Sequence, residues 1–144
     1  MRWSERLIGL LFFLPAAVVL TIALWLQPDP VGMGTHQQLG LSPCGFLLVC
    51  ELPCPMCGMT TTFSHLAHLQ ILQGIQNQPF GGVLFAIMLF LGSMGFLDLV
   101  YPKKRMLWVW DQFQKYDYLI TISLLVGLFL GWVYKIIIVK YWII

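Results

Sequence analysis

The chain has 144 residues, 59% of them hydrophobic and only 10% charged, with eight Lys/Arg against six Asp/Glu and a net charge of +2. A soluble domain carries about a quarter charged residues, so this chain lacks the polar surface to face water on all sides. The arithmetic excludes a soluble globular enzyme, a disordered chain and a nucleic-acid binder. It leaves a small integral membrane protein, in keeping with a mean hydropathy of +0.82.

The first element is an uncharged run from Leu7 to Leu26, preceded by Arg2, Glu5 and Arg6 and followed by Pro28, Asp29 and Pro30. About 20 apolar residues cross a bilayer core as a helix. The run is too long for the apolar part of a signal peptide, and no small-residue cleavage site follows Trp25, so it reads as an uncleaved anchor. Pro15 falls mid-span, which a membrane helix tolerates.

The next segment, 27–79, separates the first span from the second. It holds every cysteine and every histidine, no Lys or Arg, and only two acids, Asp29 and Glu51. So charge-poor a stretch is expected on, or partly in, one leaflet. Gln27 to Pro53 is punctuated by proline and glycine and reads as irregular chain. Gly58 to Gln78 reads as one helix ended by Pro79. Thr60, Thr61 and Thr62 crowd its start, where hydroxyls can cap free amides. Thr61, His65 and His68 share one face of it. The pattern is amphipathic without charge, as suits an interfacial or re-entrant helix.

Phe80 to Tyr101 is the second span and Leu119 to Val139 the third. Asp98 and Lys135 lie toward span ends, where the sequence predicts that they reach for the nearer interface. Aromatic residues collect near the ends as an interfacial belt: Trp25, Tyr101, Trp108, Trp110, Tyr116, Tyr118, Tyr134, Tyr141 and Trp142. Ser123, Gly127 and Gly131 recur every four residues, forming a small-residue stripe that predicts close packing against another helix, in this chain or in a second copy. Arg2 and Arg6 flank the first span, and Lys103, Lys104, Arg105 and Lys115 fill the connection 102–118. The positive-inside rule then puts the N-terminus and that connection in the cytoplasm, and segment 27–79 outside. The expected architecture is a single all-α membrane domain over 1–144, with three transmembrane helices and an outward helix after a C-x-x-C motif.

The candidate site is His36-x7-Cys44-x9-Cys54-x2-Cys57. A two-residue gap lets two thiolates bind one tetrahedral ion, with two distant ligands closing the site. His36, Cys44, Cys54 and Cys57 would make a Cys3His zinc set, with Cys50 peripheral. Two other chemistries use the same atoms. C-P-x-C before a helix can lower a thiol pKa for disulfide exchange, and outward cysteines can simply form disulfides.

The stretch Pro53-Cys54-Pro55-Met56-Cys57-Gly58-Met59-Thr60 resembles the signature of the bacterial domain-of-unknown-function family 2752. That resemblance takes in Cys44 as the upstream cysteine and Gln78-Pro79 as the pair before the next span, over about residues 36 to 95. It marks Pro55, Gly58, Thr60 and Pro79 as motif residues. Thr61 stands where many members carry arginine, so no anion-binding role carries over, and Cys50 has no counterpart. The resemblance implies a small protein of the bacterial inner membrane and supplies no reaction. The leading reading is a non-catalytic scaffold or accessory subunit with a metal- or disulfide-stapled outer motif, with the lipid bilayer and a membrane protein as partners. The alternative is a membrane thiol–disulfide oxidoreductase using Cys54 and Cys57.

Overall fold

The computed structural model describes residues 2–103 and 105–142. Lys104 of the basic connection lies outside them, as do the side chains of Arg2 and Trp142. The described residues are helical, with no strand among them. Seven α-helices follow in order: α1 (Arg2–Trp25), α2 (Gly45–Cys50), α3 (Met59–Ala67), α4 (Ile71–Asn77), α5 (Pro79–Val100), α6 (Arg105–Lys115) and α7 (Asp117–Trp142). A 3₁₀ turn, Thr35–Leu39, precedes α2. Three stretches are long and apolar enough to cross a membrane: Trp3–Trp25, Pro79–Val100 and Asp117–Tyr141. α1 passes through Pro15 without interruption.

α1 and α5 form the main helix pair, and they run antiparallel. Gly9 meets Gly95 and Leu99, while Ala16 meets Gly92. The approach is close enough that a Cβ on Gly95 would stand 2.6 Å from the Gly9 carbonyl oxygen. Between these contacts the rings of Phe13 and Phe96 pack with centroids 5.3 Å apart. In lipid, where apolar burial does not drive helix association, such small-residue contacts let backbones come together.

The small-residue stripe of α7 also packs, within this chain. Phe80, at the start of α5, fills the groove over Gly127 and Gly131: an added Cβ at Gly127 would come within 2.7 Å of its ring, and one at Gly131 within 2.8 Å of its Cβ. Ser123 is exposed.

Asp98 does not reach for an interface. It is 1% exposed. Its carboxylate accepts the Met106 amide at 2.8 Å and pairs with Arg105 at 3.1 Å. It thus caps α6 from the end of α5, satisfying an amide left free at a helix start.

The helix expected over Gly58–Gln78 is two helices. The chain reverses at Leu69, whose φ is +62°, and the turn is closed by Gln70 N–H donating to the His65 carbonyl at 2.9 Å. α4 then lies back along α3. Asn77 Nδ2 donates to the Gly58 carbonyl and to Thr62 Oγ1, each at 3.0 Å. Gly74 lets the pair close, since a Cβ there would stand 2.8 Å from Leu66 Cγ. Folding back lets Thr61, Thr62, Ser64 and Gly74 be buried with their polar groups matched, which a straight helix would leave open.

The threonines do not cap α3. Gly58 is the capping residue and no side chain caps there. Thr61 instead shares a 2.8 Å hydrogen bond with Thr35, which also accepts the Asp29 amide at 2.9 Å. Ser64 Oγ donates to the Leu26 carbonyl at the end of α1. The hydroxyls therefore tie the loop after α1 to α3. α2, within the stretch expected to be irregular, buries none of its residues, and Phe46, Leu48 and Val49 are exposed.

Candidate metal centre

Cys54-Pro55-Met56-Cys57 folds as a tight turn immediately before α3. Cys57 N–H donates to the Cys54 carbonyl at 2.9 Å, and Met59 N–H to the Met56 carbonyl at 3.1 Å. This brings both sulfurs to one side. The third arrives from another segment: Cys44, the residue just before α2. The Sγ atoms of Cys44, Cys54 and Cys57 all lie within 4.8 Å of one another, and none is in a disulfide. Three thiolates about 2.3 Å from a shared tetrahedral ion stand about 3.8 Å apart, so a small contraction completes three-quarters of such a shell. Soft sulfur donors in a tetrahedral set suit zinc-class ions.

The three thiols differ in character. Cys44 is lowered to about 7, first by the Leu47 backbone N–H at the start of α2, with the Cys57 and Cys54 thiols and the Phe46 N–H adding to it against the effect of burial. Cys57 is only 8% exposed. Burial, then the neighbouring Cys54 and Cys44 thiols, push it up to about 12. A thiol near 7 is ready to ionise. One near 12 stays protonated at neutral pH unless a cation takes the proton's place.

His36 lines the same cavity, of about 470 Å³, as the three cysteines. It is outside the group of mutually close donors, and its Nε2 faces the Ser42 carbonyl at 3.3 Å. The other histidines are committed locally: His65 Nδ1 to Gln70 Oε1 at 2.6 Å, and His68 Nδ1 to the Ser64 carbonyl at 2.8 Å. Cys50 is exposed at the end of α2.

Residues 44–92 match the model of DUF2752, a family described as a protein of unknown function. The DUF2752 match opens on Cys44 and takes in Cys54, Pro55, Cys57, Gly58, Thr60 and Pro79, so the cysteine trio lies wholly within it. His36 and Lys135 fall outside it. No curated protein and no solved structure matches the chain.

Around the C-P-x-C turn the structure adds residues that spacing alone does not mark. Pro79 opens α5 with Gln78 before it. Gln78 is fully buried and its Nε2 donates to the Pro55 carbonyl at 3.1 Å, tying the C-P-x-C turn to α5. α7 grips the same region from the other side. Trp132 Nε1 donates to the Pro53 carbonyl at 2.7 Å, and Tyr134 Oη to the Gln76 carbonyl at 2.7 Å. Lys135, expected to reach for the interface, points inward and is 2% exposed. Its Nζ donates to Asn77 Oδ1 at 2.7 Å, to the Gly32 carbonyl at 3.1 Å and to the Asn77 carbonyl at 3.4 Å. The one sequence cue for these contacts is polarity. Trp132 and Lys135 sit three apart near the end of an apolar helix, and a lysine there needs oxygen partners.

Proposed function

We propose that this protein is a membrane-anchored, non-catalytic scaffold or accessory subunit whose outer segment is stapled by a metal ion of the zinc class. Cys44, Cys54 and Cys57 are its ligands. The observation that carries the reading is the convergence of three sulfurs, from two separate segments, within 4.8 Å. A disulfide employs two of them, and a shared cation employs all three. His36, on the wall of the same cavity, is the candidate for the fourth position once it turns from Ser42. The segment has little apolar core of its own, so metal binding contributes its free energy directly to holding the segment's shape.

In the orientation we propose, the N-terminus and the connection 102–118 face the cytoplasm of a bacterium and segment 27–79 faces outward. The bilayer surrounds the spans, and the stapled segment is the surface for a membrane-protein partner. A second reading is a thiol–disulfide oxidoreductase using Cys54 and Cys57. The contrast between a thiol near 7 and one near 12 in the same cluster favours it.

Metal analysis with thiol counting on protein purified in detergent, without chelator, separates the two. The staple predicts about one zinc-class ion per chain, with Cys50 the readily titrated thiol. Cys44→Ser and Cys54→Ser should lose the ion, while Cys50→Ser should keep it. Metal-free protein in which Cys54 and Cys57 cycle between dithiol and disulfide would replace the staple by the oxidoreductase.

A further inference from the structure

Lys135 lies within an apolar helix, is 2% exposed, and makes three contacts, all to neutral oxygens of Gly32 and Asn77. No carboxylate is paired with it among the described residues, where the ion pair is Arg105–Asp98. Asp29 shares a cavity with it but accepts the Val31 amide at 2.8 Å. A buried ammonium without a counter-charge is costly, by several kcal/mol even after relaxation. Such a group either gives up its proton or keeps it against a partner's negative charge.

The position of Nζ identifies that charge. It lies against Gly58, where an added Cβ would stand only 3.0 Å away. Gly58 directly follows Cys57 in the chain. Cys57 is a member of the cysteine trio, so the ammonium lies one residue along the chain from that cluster. We infer that Lys135 is the counter-ion of an anionic metal–thiolate centre at Cys44, Cys54 and Cys57. The inference rests on the metal reading above and sharpens it.

Charge arithmetic sets the terms. Three thiolates and a divalent cation sum to minus one, which the single ammonium balances. A monovalent ion would leave an uncompensated negative charge. So would a fourth thiolate from Cys50, so the fourth ligand is neutral: the imidazole of His36 or an oxygen donor. Lys135 does not touch the ion. It is a positioning and charge-balancing residue that couples the third span to the centre.

Cobalt(II) and zinc titrations of the full chain in detergent test this, with sulfur-to-cobalt charge-transfer absorbance as the signature of the centre. The wild type should bind cobalt with that absorbance. Lys135→Met and Lys135→Gln should bind at least about tenfold more weakly, the range seen for residues supporting a metal site from outside its ligand shell. Lys135→Arg, which keeps the charge, should stay within about threefold. Should the neutral variants fail to fold, Asn77→Asp sets a carboxylate against Nζ and quenches the ammonium in place. It should bind cobalt at least about tenfold more weakly than Asn77→Ala, which loses the same amide donor without adding charge. Wild-type affinity in Lys135→Met or Lys135→Gln, or equal affinity in the two Asn77 variants, overturns the counter-ion and leaves the metal centre standing. Absence of the charge-transfer band in the wild type overturns both.

Discussion

Gly58 stands where the loop after α1, the cysteine turn, α4 and α7 meet. Its φ is +86°, a left-handed conformation that costs an L side chain about 1–2 kcal/mol. An added Cβ would also lie 2.8 Å from the Gly32 oxygen, 3.0 Å from Lys135 Nζ and 3.1 Å from Asn77 Nδ2. All three neighbours are polar atoms already hydrogen-bonded, and they cannot move without disturbing those bonds. Gly58→Ala should therefore lower stability by about 2–4 kcal/mol, adding backbone strain to overpacking. Thermal unfolding in detergent reads the loss, and an unchanged melting temperature would contradict the contact geometry. The same environment accounts for glycine at this place in the C-P-x-C-G motif: the next backbone step must pass a lysine, an asparagine and a carbonyl at contact distance.

Among the helices, the packing of α7 on α5 depends on one ring. Phe80 occupies the groove over Gly127 and Gly131, so any larger residue at 127 must displace it. Gly127→Leu should cost about 1–3 kcal/mol, the usual penalty for overfilling a packed site. Phe80→Ala, by emptying the groove, should recover part of that loss. The double mutant measures this: non-additive effects are expected for residues in contact, and strict additivity would mean that the ring does not sit over position 127. The α1–α5 pair follows the same physics with different residues. Gly9, Ala16, Gly92 and Gly95 are less conspicuous than the four-residue repeat in α7, yet at Gly9 and Gly95 an added Cβ would meet the other span's backbone itself. A small residue in a membrane helix permits an approach. Which neighbour accepts it depends on how the helices are arranged.

At the scale of the whole molecule, the start of α1 and the end of α5 lie together, with Gly9 against Leu99. The cysteine segment gathers at the opposite end of the pair, where Ser64 reaches the Leu26 carbonyl. That separation turns the lysine and arginine count into a testable orientation. A membrane-impermeant thiol reagent should label Cys50, which is exposed, in intact spheroplasts, and Cys50→Ser should remove most of the signal. After mild reduction and chelation, Cys44 should join it. Labelling only after lysis would invert the orientation.

The sequence by itself determined the three spans, the concentration of cysteine and histidine between the first two, and the C-P-x-C turn with its upstream cysteine. These are properties of composition and local spacing. A run of about 20 apolar residues has few fates other than a membrane, and a two-residue gap brings two thiols together whatever surrounds them. The tertiary structure alone decided the inward turn of Lys135, the burial of Asp98 as a cap for α6, and the reversal at Leu69 that splits the helix after the motif. It also decided that Thr35, Asn77 and Gln78 support the cysteine region while His65 and His68 bond locally. Each of these depends on which oxygen or amide a polar side chain meets once helices far apart in sequence have packed. Lys135 finds Gly32 across 103 residues. In a low-dielectric setting a buried polar group must find such a partner, and no local pattern in the chain specifies which partner that is.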